Sequence, residues 1–223
     1  MKHLWIVANW KSNKTIQEAV EWTSAVGSEI EKKDSVNVVV CPPFVAVAEV
    51  AHSVQAGNLP LVVGVQNLSP FDVGAYTGEE AAAIVKDVAS LAILGHSERR
   101  KNFSETDEMI AMKVTQATGN GITPLVCVQD ENTPVPEDCK LIAYEPVFAI
   151  GSGKPDSPDS ANAVAQKLKE RLGDDVEVLY GGSVTSENVK NFLEQDSISG
   201  VLIGGASLKA DEFIKIVEIS QTV

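Results

Sequence analysis

Apolar residues in this chain fall into short, compact runs separated by longer stretches in which apolar positions recur every three or four residues. The runs cover residues 4–8, 36–40, 61–65, 91–94, 122–128, 141–144, 176–180 and 200–203, and each has the length of a strand. The valine-rich run at 36–40, closed by Cys41, Pro42 and Pro43, implies burial on both faces, as in a parallel sheet. The intervening stretches carry helix signals. Thr15 with Glu18 forms a capping box for a helix to about residue 32, with Ile16, Val20 and Val26 at core spacing. Further helices are predicted over 44–56, from Thr77 and Glu80 to about 89, and from Ser104 and Asp107 to about 118. Three more run from Ser157 and Pro158 to about 172, from Thr185 or Ser186 to about 194, and over 209–219.

One interval breaks the alternation. Only residues 129–139 separate the fifth and sixth runs, and they include Pro134 and Pro136, whereas a parallel crossover needs a dozen residues or more. Either a vestigial helix fills this place or a barrel is open there. No linker or composition break divides the chain, so the pattern predicts one α/β domain over residues 1–223. Its architecture is a (β/α)8 barrel with a shortened crossover between strands five and six.

At 223 residues and 44% hydrophobic content the chain can fill the core of such a barrel, which normally takes roughly 200 to 250 residues. The formal charge of −13 argues against binding nucleic acid through its phosphates. An anionic small molecule would need a locally positive pocket. The cysteines, Cys41, Cys127 and Cys139, are odd in number and lack metal-ligand spacing, so they read as small core residues in a reduced, cytoplasmic compartment. No stretch approaches the roughly 18 apolar residues of a membrane span.

Every polar oddity follows a strand. In a barrel the C-terminal strand ends converge on one face, so Asn9, Lys11, His96, Glu98, Glu145, Ser183 and Gly204 are expected around one pocket. Lys11 is the cation an acidic protein needs to hold an anion, and Glu98 is its counter-charge. A helical pattern starting near Ser97 would set a positive dipole end beside His96 and favour its neutral form. Glu145 ends an apolar run, and Pro146 stops ladder pairing directly after it. The following Val147, Phe148, Ala149 and Ile150, bracketed by Gly151, are too apolar for an ordinary loop and read as a greasy flap over an acid. The pairs Gly181–Gly182 and Gly204–Gly205, after strands seven and eight, leave backbone N–H groups open to a phosphate.

Five segments carry a family resemblance: ANWKSN at 8–13, GHSERR at 95–100, YEPVFAIGSGK at 144–154, YGGSV at 180–184 and LIGGASL at 202–208. In order and spacing they resemble the triosephosphate isomerases along essentially the whole chain. The resemblance implies a TIM barrel that interconverts dihydroxyacetone phosphate and D-glyceraldehyde 3-phosphate through an enediolate, without metal or organic cofactor. It implies Glu145 as base, neutral His96 as the group that polarises the carbonyl, and Lys11 as charge compensation. Asn9 would orient the substrate, and Gly151, Ser183, Gly204 and Gly205 would supply N–H groups to its phosphate; Ser97 and Glu98 would support the site. The loop from Gln66 to Gly78, with Phe71 and Tyr76, would dock on a second subunit, which implies a homodimer, with a tetramer as the alternative. The chain departs from the family at Phe148 and Ser152, at Gln129 and Asp130 where a CxGE pattern is usual, and in the shortened crossover. Another sugar-phosphate-binding barrel and a non-catalytic relative are the competing readings.

Overall fold

A parallel strand covered on both faces needs one partner layer inside and another outside, and the eight strands meet this by closing on themselves. The computed structural model describes residues 2–151 and 153–223; Ser152 lies outside the described residues. In chain order β1 (Leu4–Asn9), β2 (Val36–Cys41), β3 (Val62–Val65), β4 (Leu91–Leu94), β5 (Thr123–Val128), β6 (Leu141–Tyr144), β7 (Glu177–Tyr180) and β8 (Ile198–Ile203) form a closed, parallel barrel. Its interior is filled by Val7, Val39, Ile93, Leu125, Ala143 and Leu179 among others. A second, larger apolar layer lies between the strands and the surrounding helices, where Trp22 packs edge-on against Trp10 and tilts against Phe213. Closure between β1 and β8 requires a glycine. A Cβ at Gly200 would stand 2.1 Å from the carbonyl oxygen of Trp5, with φ at +154°.

The helices are α1 (Ile16–Glu29), α2 (Phe44–Gly57), α3 (Ala82–Val85), α4 (Ser97–Phe103), α5 (Asp107–Gly119), α6 (Pro158–Leu172), α7 (Val189–Leu193) and α8 (Ala210–Ser220). The Thr15–Glu18 capping box is complete, and Ser157 caps α6 with Pro158 in the first turn. No helix among the described residues is long and apolar enough to cross a membrane.

Three expectations need correction. Thr77 and Glu80 cap nothing: α3 is a single turn behind Ala81, and the Glu80 carbonyl instead accepts the N–H of Ser69, closing the long loop on itself. Ser104 does not open α5; it ends α4 in the left-handed conformation, and Thr106 caps α5 by accepting the N–H of Met109. Residues 129–140 form no helix, yet the barrel is not open, because β5 and β6 pair from Leu125–Leu141 to Val128–Tyr144.

The short crossover works by dense local bonding. The Asp130 carboxylate accepts the N–H groups of Asn132 and Thr133 at 2.8 Å each, and the Thr133 hydroxyl accepts those of Gln129 and Asp130. Thr133 is buried, and Val135 packs on the outer core. α6 reaches across to cover the rest: Arg171 Nη2 donates to the Thr133 carbonyl at 2.8 Å, and Lys167 pairs with Glu131 at 2.9 Å.

Candidate active site

Glu145 stands one residue beyond β6, where the ladder still holds its backbone. Its N–H donates to the Val128 carbonyl at 2.8 Å, and the preceding Tyr144 carbonyl accepts the N–H of Gly181 at 2.8 Å. The carboxylate is thus held from β5 on one side and β7 on the other. It is 1% exposed, and a buried carboxylate needs partners. Oε1 lies 2.8 Å from His96 Nε2, and Oε2 accepts the Ser97 N–H at 3.1 Å. Cys127 is pressed against it; burial, and then the charge of Glu145, push that thiol far up.

His96 follows β4 and caps α4. Its Nδ1 accepts the Glu98 N–H at 3.2 Å. An acceptor at Nδ1 carries no proton there, so the imidazole is neutral and its Nε2–H points at Glu145. The helix start therefore fixes which nitrogen faces the pocket.

Lys11 is held after β1 in an uncommon way. Its backbone is left-handed, φ +54°, a conformation that costs a non-glycine residue on the order of 1 kcal/mol or more. Two side chains stabilise it: Asn9 Oδ1 accepts the Lys11 N–H at 3.1 Å, and Gln66 Nε2 donates to the carbonyls of Lys11 and Cys41, both at 2.9 Å. The ammonium pairs with Glu98 Oε1, so a cation stands in the pocket with its counter-charge on the next wall. Ser183 repeats the device after β7, with φ +52°; its carbonyl accepts from Asn188 Nδ2 and its hydroxyl donates to the Ala149 carbonyl at 2.6 Å. Gln66 and Asn188 were not legible in the chain, because nothing in its pattern marks a left-handed backbone elsewhere.

The structure brings these groups together. A cavity of about 270 Å³ is lined by Asn9, Lys11, His96 and Glu145 on one side. Gly151, Ser183, Gly204 and Gly205 line the other, and a Cβ on Gly204 would lie 4.0 Å from the Lys11 ammonium. Glu98 and Ser97 stand outside it and act on its walls through Lys11 and Glu145. Gly182 packs so tightly beneath the flap that a Cβ there would lie 2.5 Å from the Tyr180 hydroxyl and 2.9 Å from Ala149. Within the flap Ala149 is buried and Ile150 lines the cavity, while Val147 and Phe148 are each 64% exposed. The flap therefore turns Ile150 and Gly151 to the cavity and Val147 and Phe148 to solvent. No group of histidine, cysteine and carboxylate side chains suited to hold a metal occurs among the described residues.

A second cavity of about 600 Å³ adjoins the first and shares Asn9, Lys11 and His96 with it. Phe103, 66% exposed, lines it; Val45, 68% exposed, follows Phe44 of its wall, and Val73, 61% exposed, lies in the loop whose ends, Gln66 and Gly78, line it. In the adjoining loop Phe71 and Tyr76 stack with ring centroids 4.3 Å apart.

Comparison with known proteins identifies the family. The family model described as triosephosphate isomerase matches residues 4–139 and 134–220, and the two matches meet at the short crossover. A triosephosphate isomerase of Dehalococcoides mccartyi is 35% identical over 244 aligned residues, covering 97% of this chain and 96% of its own length. That of Endomicrobium trichonymphae is 37% identical, with 97% and 98% covered, and that of Mesomycoplasma hyorhinis 39% identical, with the same coverage. The aligned spans exceed 223 residues, so these relatives carry residues that this chain lacks. Family match, closed barrel and convergent strand-end residues lead to one assignment: the chain belongs to the triosephosphate isomerase family.

Proposed function

We propose that this protein interconverts dihydroxyacetone phosphate and D-glyceraldehyde 3-phosphate at the pocket above β6, with Glu145 as the base. The observation that carries this is the Glu145 carboxylate, 2.8 Å from a neutral imidazole and in one cavity with Lys11. Moving a proton between adjacent carbons needs a carboxylate beside the carbon acid and donors aimed at the oxygen that becomes negative. Glu145 takes the proton next to the carbonyl. The Nε2–H of His96 stabilises the enediolate oxygens, and Lys11 offsets the combined charge of enediolate and phosphate. Asn9 orients the substrate as well as bracing Lys11. The N–H groups of Gly151, Ser183, Gly204 and Gly205 grip the phosphate, and the apolar flap closes to exclude water from an enediolate that would otherwise lose phosphate.

Glu145→Ala tests the assignment. A positioned acid or base contributes roughly 10²–10⁴-fold, so kcat falls by at least that range while the thermal midpoint holds. Turnover near that of the unaltered protein would show that another group is the base.

The second cavity and its apolar rim support a homodimer in which the loop from Gln66 to Gly78 of one copy fills the cavity beside the active site of the other. Asn67, held at 2.7 Å by the buried Lys113, anchors the base of that loop. Light scattering of the purified protein reads the subunit number, and a monomeric, fully active protein would rule the dimer out. Three buried, unpaired cysteines support a cytoplasmic setting.

A further inference from the structure

An asparagine directly before a helix commonly caps it, because its carboxamide oxygen accepts a free N–H of the first turn. Asn188 stands directly before α7, yet its side chain makes no capping bond there. It turns back onto the loop after β7 instead. Nδ2 donates to the Ser183 carbonyl at 3.1 Å, and Oδ1 accepts the Thr185 N–H at 2.9 Å. A carbonyl can only accept and an N–H only donate, so these two partners fix which way the amide faces. The platform under Asn188 is firm. Val189 beside it is fully buried, and Phe192, further along α7, stacks on Tyr180 of β7 with ring centroids 4.0 Å apart.

The clamped loop is a wall of the cavity, which Ser183, Val184 and Thr185 all line. Ser183 holds a left-handed backbone, φ +52°, and a serine keeps that conformation only where its surroundings enforce it. A second anchor lies just behind: the Ser186 N–H and hydroxyl donate to the two Glu212 carboxylate oxygens at 2.7 and 3.1 Å, which ties the loop to α8. That anchor grips a residue outside the cavity wall, whereas Asn188 bonds the wall itself. We propose that Asn188 is a positioning residue for the phosphate site: by bridging the Ser183 carbonyl and the Thr185 N–H it keeps Ser183 in its left-handed turn, so that the Ser183 N–H meets the substrate's phosphate. This rests on the proposed isomerisation and its phosphate grip. A phosphate that takes no part in the proton transfer is held alike in the bound substrate and in the transition state, so a loss of its grip appears in KM and in phosphate affinity and spares kcat.

Inorganic phosphate, titrated into the isotopically labelled protein and followed by its amide NMR shifts, reads the grip alone, and a dissociation constant does not depend on how much of a sample is folded. Asn188→Ala should raise that constant and the KM for dihydroxyacetone phosphate together, each by about tenfold, the scale of one hydrogen bond to a charged group, with kcat within about threefold. Unphosphorylated D-glyceraldehyde reaches Glu145 without the grip, so its kcat/KM should stay within about twofold. Asn188→Leu keeps the size of the side chain without its amide, and it carries the same test should Asn188→Ala fail to fold. If kcat/KM for D-glyceraldehyde falls as far as that for dihydroxyacetone phosphate, Asn188 merely supports the fold and the proposal is overturned. An unchanged dissociation constant for phosphate overturns it as well. Failure of the underlying reading looks different: the unaltered protein would then turn over no dihydroxyacetone phosphate, whatever the phosphate titration of the variant shows.

Discussion

The two crossovers that flank β6 solve opposite problems with the same starting geometry. Between β5 and β6 the chain dispenses with a helix, and residues 129–140 make an Asp130-centred turn whose N–H groups are bonded locally and whose outer side is covered by α6. Between β6 and β7 the chain spends a long segment, a flap with exposed Val147 and Phe148 followed by the fifteen-residue α6. One crossover is short and saturated with contacts; the other is long and leaves apolar surface unpaired. The difference shows that covering a strand and covering a substrate are separable tasks. A strand needs only its outer face dry and its barrel neighbours paired, so a turn plus a borrowed helix suffices. A covering segment over a substrate cannot be saturated with contacts in the same way, and the exposed Val147 and Phe148 leave this one few on its outer side.

The largest effect that would sharpen the contrast lies in the short crossover. Val135→Asp places a charge where an apolar side chain packs on the outer core. We expect a loss of about 3 kcal/mol, which for a chain of this size lowers the thermal midpoint by roughly 6–12 °C, with kcat per folded molecule unchanged. Calorimetry with active-site titration reads both. A fall in kcat per folded molecule would mean that the two crossovers are coupled through β6. The next effect lies in the flap and has the reverse signature. Ile150→Ala removes apolar surface that lines the cavity. It should leave the midpoint within a degree or two and lower kcat/KM by about tenfold, because that side chain gains most of its burial on closure. A lower midpoint with unchanged kcat/KM would make the flap an ordinary packing loop.

The strand-end cluster was legible because of where its residues stand. Asn9, His96 and Glu145 each interrupt or follow an apolar run, and a closed parallel barrel gathers all such ends on one face. The cap assigned to Thr77 and Glu80 failed for a physical reason: a capping pattern is local, whereas the Glu80 carbonyl is claimed by Ser69 across the loop. Gln66 escaped for a related one: it acts through bonds to the distant backbone carbonyls of Lys11 and Cys41, and no periodicity records such partners. The empty place between the fifth and sixth strands was visible as a shortage of residues. What fills it was not, because the covering groups come from Arg171 and Lys167 on the next helix.

The smallest effect tests whether the short crossover really stands on its aspartate. The hydrogen bond from the Asn132 N–H, with further ones from Thr133, holds the Asp130 carboxyl below the usual aspartate range. A group with a depressed folded value stabilises the protein where it is ionised in both states, above the unfolded value of about 4. That contribution fades as pH falls through the lower folded value, where both states bind the proton. Asp130→Ala should therefore cost about 1 kcal/mol, and the cost should be constant from neutral pH down to about pH 5, since ionisation changes in neither state there. Below about pH 4 the difference between the two proteins should shrink, as the charged form that accepts these bonds is lost from the parent protein. Denaturant unfolding at a series of pH values measures this directly. A difference that stayed constant into the acid range would place the stabilisation in packing and not in the ionised carboxylate, and the turn would then be held mainly by Thr133 and the cover that α6 lends it.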